Sequence, residues 1–206
     1  MPLANLFARP RSRVGARAVA VSLAVLVALC AGCASTTVTV TPSPQAPVCD
    51  PRAAALVLWA PEWRPDQKDV PEREAAAAAG LDEFFRRSGC FARSELRRTP
   101  DLAPPTVAAQ LADTRGAGPL DVVVAIAVRE LGPTVKLLAS PALVDGGTEV
   151  VLQVSVFVPP EAREPRTFTI HWQDGGPGVV KGVASLPRDM QEALAAGLLR
   201  GGAESP

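Results

Sequence analysis

Apolar and polar positions divide the chain into a short leader and a longer patterned region. From Ala18 to Leu29 every side chain is apolar except Ser22, and arginines at 9, 11, 13 and 17 precede that run, with no acidic residue before Asp50. A basic start, a short apolar core and small residues after it form the layout of an export signal. The apolar run falls short of the roughly 20 residues that a membrane-crossing helix needs. Next, Ala34 to Val48 carries no charge and no large side chain beyond valine. Its Thr-Val alternation is compatible with a strand. Thr41-Pro42-Ser43-Pro44-Gln45-Ala46-Pro47 favours extended polyproline-like backbone, so residues 33–48 are expected to form a semi-stiff tether.

Beyond the tether the pattern becomes that of a folded domain. Ala53 to Trp59 is a short apolar run read as a buried strand. Pro71 to Ser88 is expected as a helix, with Pro71, Glu72 and Glu74 at its start and Arg86 and Arg87 at its end. Ala77, Leu81, Phe84 and Phe85 share one helical face, and Gly89 can supply a left-handed stop. Phe91 to Arg98 reads as a more exposed strand, and Thr106 to Asp113 as a short helix. Asp121 to Val128 is apolar on both faces, which places it in the middle of a sheet. Gly132-Pro133 is expected to turn the chain into a strand from Thr134 to Val144, and Asp145-Gly146-Gly147 to turn it again.

Glu149 to Val158 then alternates, with Val150, Leu152, Val154, Val156 and Val158 on one face. Pro159 to Pro165 is a loop, and Phe168, Ile170 and Trp172 face the core from the next strand. Gly175-Gly176-Pro177-Gly178 is read as a break. Ser185 is a candidate N-cap for a last helix carrying Met190, Leu194, Gly197 and Leu198 on its apolar stripe. This order predicts an α+β fold, a mainly antiparallel sheet with helices packed on one face.

At the end of the leader, Leu29-Cys30-Ala31-Gly32-Cys33-Ala34-Ser35 resembles the lipobox of bacterial lipoproteins. The resemblance implies lipidation of Cys33, which would become the first residue of the mature chain. Cys30 stands where that family usually has leucine. Ala34 directly after the cysteine, where an aspartate would imply retention in the inner membrane, implies the outer membrane and a domain facing the periplasm. A plain secretory signal cut near Ala34, or an uncleaved helix, is the alternative. The expected organisation is a signal peptide at 1–32, a tether at 33–48, one periplasmic domain at 49–202 and a disordered tail at 203–206.

Composition narrows the function. Removing 32 of the 206 residues takes four of the 21 basic residues and none of the 21 acidic ones, leaving a net charge of about −4. That balance offers no basic patch for nucleic acid. Of the remaining cysteines, Cys49 and Cys90 form a lone pair in a compartment that permits disulfides, and a bond between them is expected, with two buried thiols as the alternative. Two cysteines without CxxC spacing and a single histidine make no zinc set, and neither a metal nor another cofactor is expected.

The segment from Ala53 to Arg98, with Gly80-Leu81-Asp82-Glu83-Phe84-Phe85-Arg86-Arg87-Ser88-Gly89-Cys90-Phe91 at its helix end, resembles the opening of small periplasmic lipoprotein domains. That group includes the activator lipoproteins of penicillin-binding proteins and the amino-terminal domain of the Tol translocation protein. Asp121-Val122-Val123-Val124 matches a later strand of the same pattern. The likeness implies binding or assembly in the envelope and carries over no catalytic residue.

Candidate chemistry is sparse. His171, the one histidine, lies on the polar side of its strand, and no Gly-x-Ser-x-Gly elbow is present. Asp145, Glu149 and Asp174 lack the every-second-residue spacing of a calcium loop. Trp59 and Trp63, flanking Ala60-Pro61-Glu62, are candidate partner contacts, with a closed core as the alternative. Arg93, Arg97 and Arg98 are either a recognition face or a charged, solvated edge. The expectation is a non-enzymatic, membrane-anchored module that binds a protein of the envelope. A lipid-handling auxiliary lipoprotein of a transporter and a lipid-anchored hydrolase are the alternatives.

Overall fold

A computed structural model describes residues 34–114, 118–137, 144–159 and 164–201, which lie in one unit that begins at Ala34. Cys33, the signal expected at 1–32 and the tail expected at 203–206 fall outside the described residues. Six strands, β1 (Ser35–Thr41), β2 (Asp50–Pro61), β3 (Phe91–Arg98), β4 (Val122–Leu137), β5 (Val144–Phe157) and β6 (Arg166–Pro177), form one sheet in the order β1-β6-β5-β4-β2-β3. Three of the five pairings are antiparallel; β4–β2 and β2–β3 are parallel. The fold is the α+β arrangement that the pattern predicts.

Its centre follows from the two uninterrupted apolar runs. Ala55 to Ala60 and Val123 to Val128 are each at most 3% exposed, because β2 and β4 are covered on both faces. On one face Val57, Trp59, Val124, Ile126, Val150, Leu152, Ile170 and Trp172 pack under α1 (Val70–Arg87) and α3 (Leu186–Leu194). The alternate residues Leu56, Leu58 and Val123 pack on the other face against Val107 of α2 (Pro104–Asp113). One helix therefore lies opposite the other two, where all had been expected on a single face. The apolar second face of β2 requires that cover.

The helix ends follow local chemistry. Glu72 lies in the first turn of α1, Arg86 and Arg87 in the last, and Gly89 takes φ 65° just beyond it. Gly80 lets α1 and α3 touch, since a Cβ there would sit 2.7 Å from Met190 Cβ. Before α2, the Asp101 carboxylate is bonded by the Thr106 side chain and accepts the Ala103 amide at 2.9 Å, bonds that hold its pKa below the usual aspartate value.

Three expectations change. The Thr-Val stretch is an edge strand, not tether: β1 pairs with β6 in the register Val38↔Trp172 and Val40↔Ile170, and Val40 is 4% exposed. Its two-residue period puts valines inward and threonines outward once β6 supplies an open edge. Second, Gly132-Pro133 is no turn. A bulge at Arg129 shifts the register, and β4 continues with Pro133↔Thr148. There β4 has run past Pro61, its last partner on β2, so the missing proline N–H costs no ladder bond. Third, Asp145-Gly146-Gly147 and Gly175-Gly176-Pro177 pair with each other as continuations of β5 and β6. A Cβ on Gly146 would lie 2.3 Å from the Val179 carbonyl oxygen, and one on Gly175 would lie 2.2 Å from that of Gly146. These glycines permit close backbone approach where turns were expected.

Candidate functional site

The disulfide is present. Cys49 lies just before β2 and Cys90 just before β3, with their Cα atoms 4.5 Å apart. Asp50 and Phe91 are register partners, so the bond joins the beginnings of two adjacent parallel strands across α1. Cys90 is fully buried.

The two candidate tryptophans part company. Trp59, in β2, is 3% exposed and packs in the core, with the Arg98 guanidinium 5.6 Å from its ring centroid and Thr99 donating its amide to its carbonyl. As a buried core side chain it is not the surface contact that the sequence offered. Trp63 is half-buried against the same core, and its Nε1 donates to Glu74 Oε1 at 3.4 Å. Glu74 also holds Arg98. Trp63 thus retains an open side, at the end of β2.

The arginines of β3 do not act as one face. Arg97 donates to Asp113 at 2.8 Å and Gln110 at 3.1 Å, tying β3 to α2. Its hydrogen bond to Glu95 is the main influence that keeps its pKa above the ordinary value. Arg98 points instead to Glu74 on α1, and Arg93 stays exposed. On the solvent face of the sheet, His171 Nε2 lies 2.6 Å from Glu149 Oε1, and Gln173 donates to the same oxygen at 3.3 Å. These are cross-strand pairs of an exposed face. Among the described residues no group of three or more His, Cys, Asp or Glu side chains could hold a metal ion.

Two charged clusters went unread in the sequence. In the first, Arg73 of α1, 9% exposed, donates to Glu130 Oε1 and to the Leu131 carbonyl, both at 2.7 Å, and to the Lys68 carbonyl at 2.8 Å. Arg64 and Gln67 also bond Glu130, so one carboxylate gathers the loop before α1 onto the bulge of β4.

The second cluster lies where β1 begins. Lys181, on the segment after β6, pairs with Asp174 of β6 and with Asp189 of α3, which is 3% exposed. Its Nζ sits 5.5 Å from the Trp172 ring centroid. Thr36 of β1 donates to Asp174 at 2.6 Å and Ser185 to Asp189 at 2.9 Å. Ser185 thus stands before α3 as expected, but its hydroxyl serves Asp189 and the Gly182 carbonyl and caps no helix amide. Burial alone would lower the Lys181 pKa; hydrogen bonds to Asp174 and Asp189 outweigh it and raise the value. Burial likewise pushes Asp174 up, but the bonds from Lys181 and Thr36 hold it below the ordinary aspartate value. Beside this cluster lies a shallow polar depression of about 460 Å³, lined in part by Ser35, Thr37, Thr134, Glu149 and Gln173.

No family model matches the chain, and no curated protein matches it. Solved structures do resemble it. A PelC dodecamer from Paraburkholderia phytofirmans is 16% identical, over 83% of this chain and 100% of that one, with a TM-score of 0.41. A neuraminyllactose-binding hemagglutinin homolog from Helicobacter pylori is 12% identical over 76% and 87%, with a TM-score of 0.37. The lipoprotein GNA1162 from Neisseria meningitidis is 19% identical over 72% and 99%, with a TM-score of 0.32. At these scores the likenesses assign no activity, ligand or partner to this chain.

Proposed function

We propose that this chain is a lipid-anchored envelope protein whose α+β domain binds another envelope component and carries out no catalysis of its own. The observation that carries this reading is Leu29-Cys30-Ala31-Gly32-Cys33 behind a basic and apolar leader. The Cys49–Cys90 bond supports it, since such bonds persist in oxidising compartments outside the cytoplasm. In this reading Cys33 carries the lipid, Ala34 directs the protein to the outer membrane, and the domain faces the periplasm. Two or more acyl chains would hold it there, where a single one binds only marginally. Trp63, with its open side, is the proposed centre of the partner contact.

The test is capture from detergent-solubilised envelopes with the full-length lipidated protein and with Cys33→Ala. The expected result is a specific protein recovered with both forms, and acyl mass on the wild-type protein only. Recovery of no partner by either form would sink the binding role.

A further inference from the structure

Among the described residues, the exposed large apolar side chains include Val135, Val158 and Val180. A single exposed valine is ordinary. The placement of two of these is not. Val135, 65% exposed, is the register partner of Gly146, and the Val179 carbonyl passes directly over Gly146. Val180, 86% exposed, comes next in the chain. Gly147, beside Gly146, pairs with Gly175, and Gly175 pairs with Ser35, the first residue of β1. Val135, Val180 and the start of β1 therefore share one end of the sheet. Val158, 62% exposed, lies beyond the last residue of β5, at the opposite end.

Ser35 follows Cys33 by two residues. Two residues span at most about 7 Å. A lipid on Cys33 would therefore bring this end of the sheet to the membrane, with no long spacer between them. Lys181, which follows Val180, is already paired with Asp174 and Asp189. That pairing withholds the Lys181 ammonium from lipid headgroups.

We propose that the end of the sheet that carries exposed Val135 and Val180 rests in the interfacial layer of the leaflet that holds the lipid of Cys33. The lipid supplies the affinity, and the valines set which way the domain faces. This proposal builds on the lipoprotein reading above. It leaves the far end of the sheet, with Val158, directed away from the bilayer.

The test uses the full-length lipidated protein carrying Val135→Cys, Val180→Cys or Val158→Cys, each labelled with an environment-sensitive fluorophore. The native thiols do not compete: Cys49 and Cys90 are bonded to each other, Cys33 is acylated and Cys30 leaves with the signal. All three sites are exposed, and an unchanged thermal melt checks that each variant folds. In vesicles of phosphatidylethanolamine and phosphatidylglycerol, labels at 135 and 180 should shift to the blue. They should also lose emission to spin-labelled lipid, with no change when salt is raised. The label at 158 should behave as in water. If acyl mass is present on Cys33 but the three labels respond alike, the orientation is overturned and the anchored reading stands. If the 135 and 180 signals vanish with salt, charge and not the valines makes the contact, and the proposal fails. If no acyl mass is found on Cys33, both readings fall together.

Discussion

The guanidinium of Arg73 occupies the space that a side chain at position 132 would fill. A Cβ on Gly132 would lie 1.7 Å from Arg73 Nη1, the same atom that donates to Glu130 and to the Leu131 carbonyl. Gly132→Ala should therefore expel a buried cation from its partners and cost about 2–4 kcal/mol. In an Arg73→Ala background the same change should cost under about 1 kcal/mol, because coupled neighbours are not additive. Urea unfolding of the four proteins of this cycle measures the coupling. Equal costs in both backgrounds would mean that Gly132 is needed for another reason.

The Cys49–Cys90 bond closes a loop across 41 residues. In the chain-entropy model a loop of that length restricts the unfolded chain by about 4 kcal/mol. Replacing both cysteines by alanine should lower unfolding free energy by about that amount, and a reducing agent should do the same to the wild type. Denaturant midpoints measured with and without reductant check it.

The Lys181–Asp174 pair should make stability depend on pH at both extremes. Asp174 titrates lower in the folded state than its ordinary 3.8, so its contribution is present above that value and fades as pH falls through the folded one. Lys181 titrates higher than its ordinary 10.5, so its contribution is present below that value and fades as pH rises through the folded one. Lys181→Met leaves Asp189 buried without its cation and should cost about 2–3 kcal/mol near neutral pH, less than a fully buried cluster because Lys181 and Asp174 keep some water. The difference from wild type should shrink on either side of that window. A cost that stays flat from acid to alkali would assign the effect to packing on Trp172.

Trp59→Ala should cost about 3–5 kcal/mol, the range for removing a buried aromatic. Trp63→Ala should cost roughly 1 kcal/mol or less, since its ring is half-open to solvent and its bond to Glu74 is long. If Trp63 is the partner contact, its alanine variant should lose envelope capture at an unchanged melting temperature. Thermal melts run beside the capture assay separate the two roles.

Which parts of this fold could be read in advance depended on whether a segment's own pattern decides its fate. Val122 to Val128 is apolar at every position, and only a strand covered on both faces satisfies that. The helix over Val70–Arg87 carries its proline, charges, apolar face and stop glycine in its own sequence. The bulge at Arg129 has no such local mark. It moves the inward side to Leu131 and carries the strand through Gly132-Pro133, a dipeptide that in isolation signals a turn. Lys181, Asp174 and Asp189 lie on three different elements, and only folding brings their charges together.

By itself, then, the sequence determined the α+β class, the central strands, the first helix and the availability of two cysteines for one bond, and it carries the lipobox resemblance before Ala34. Each of these rests on local composition or on a short period that neighbouring residues enforce. Tertiary structure alone decided that Ser35–Thr41 is a strand, that the glycines of β5 and β6 meet backbone to backbone, that Trp59 is enclosed, and that α2 crosses to the other face. A marginal Thr-Val strand has no fixed state until the unpaired edge of β6 offers it hydrogen bonds, and a glycine's role is set by what approaches it.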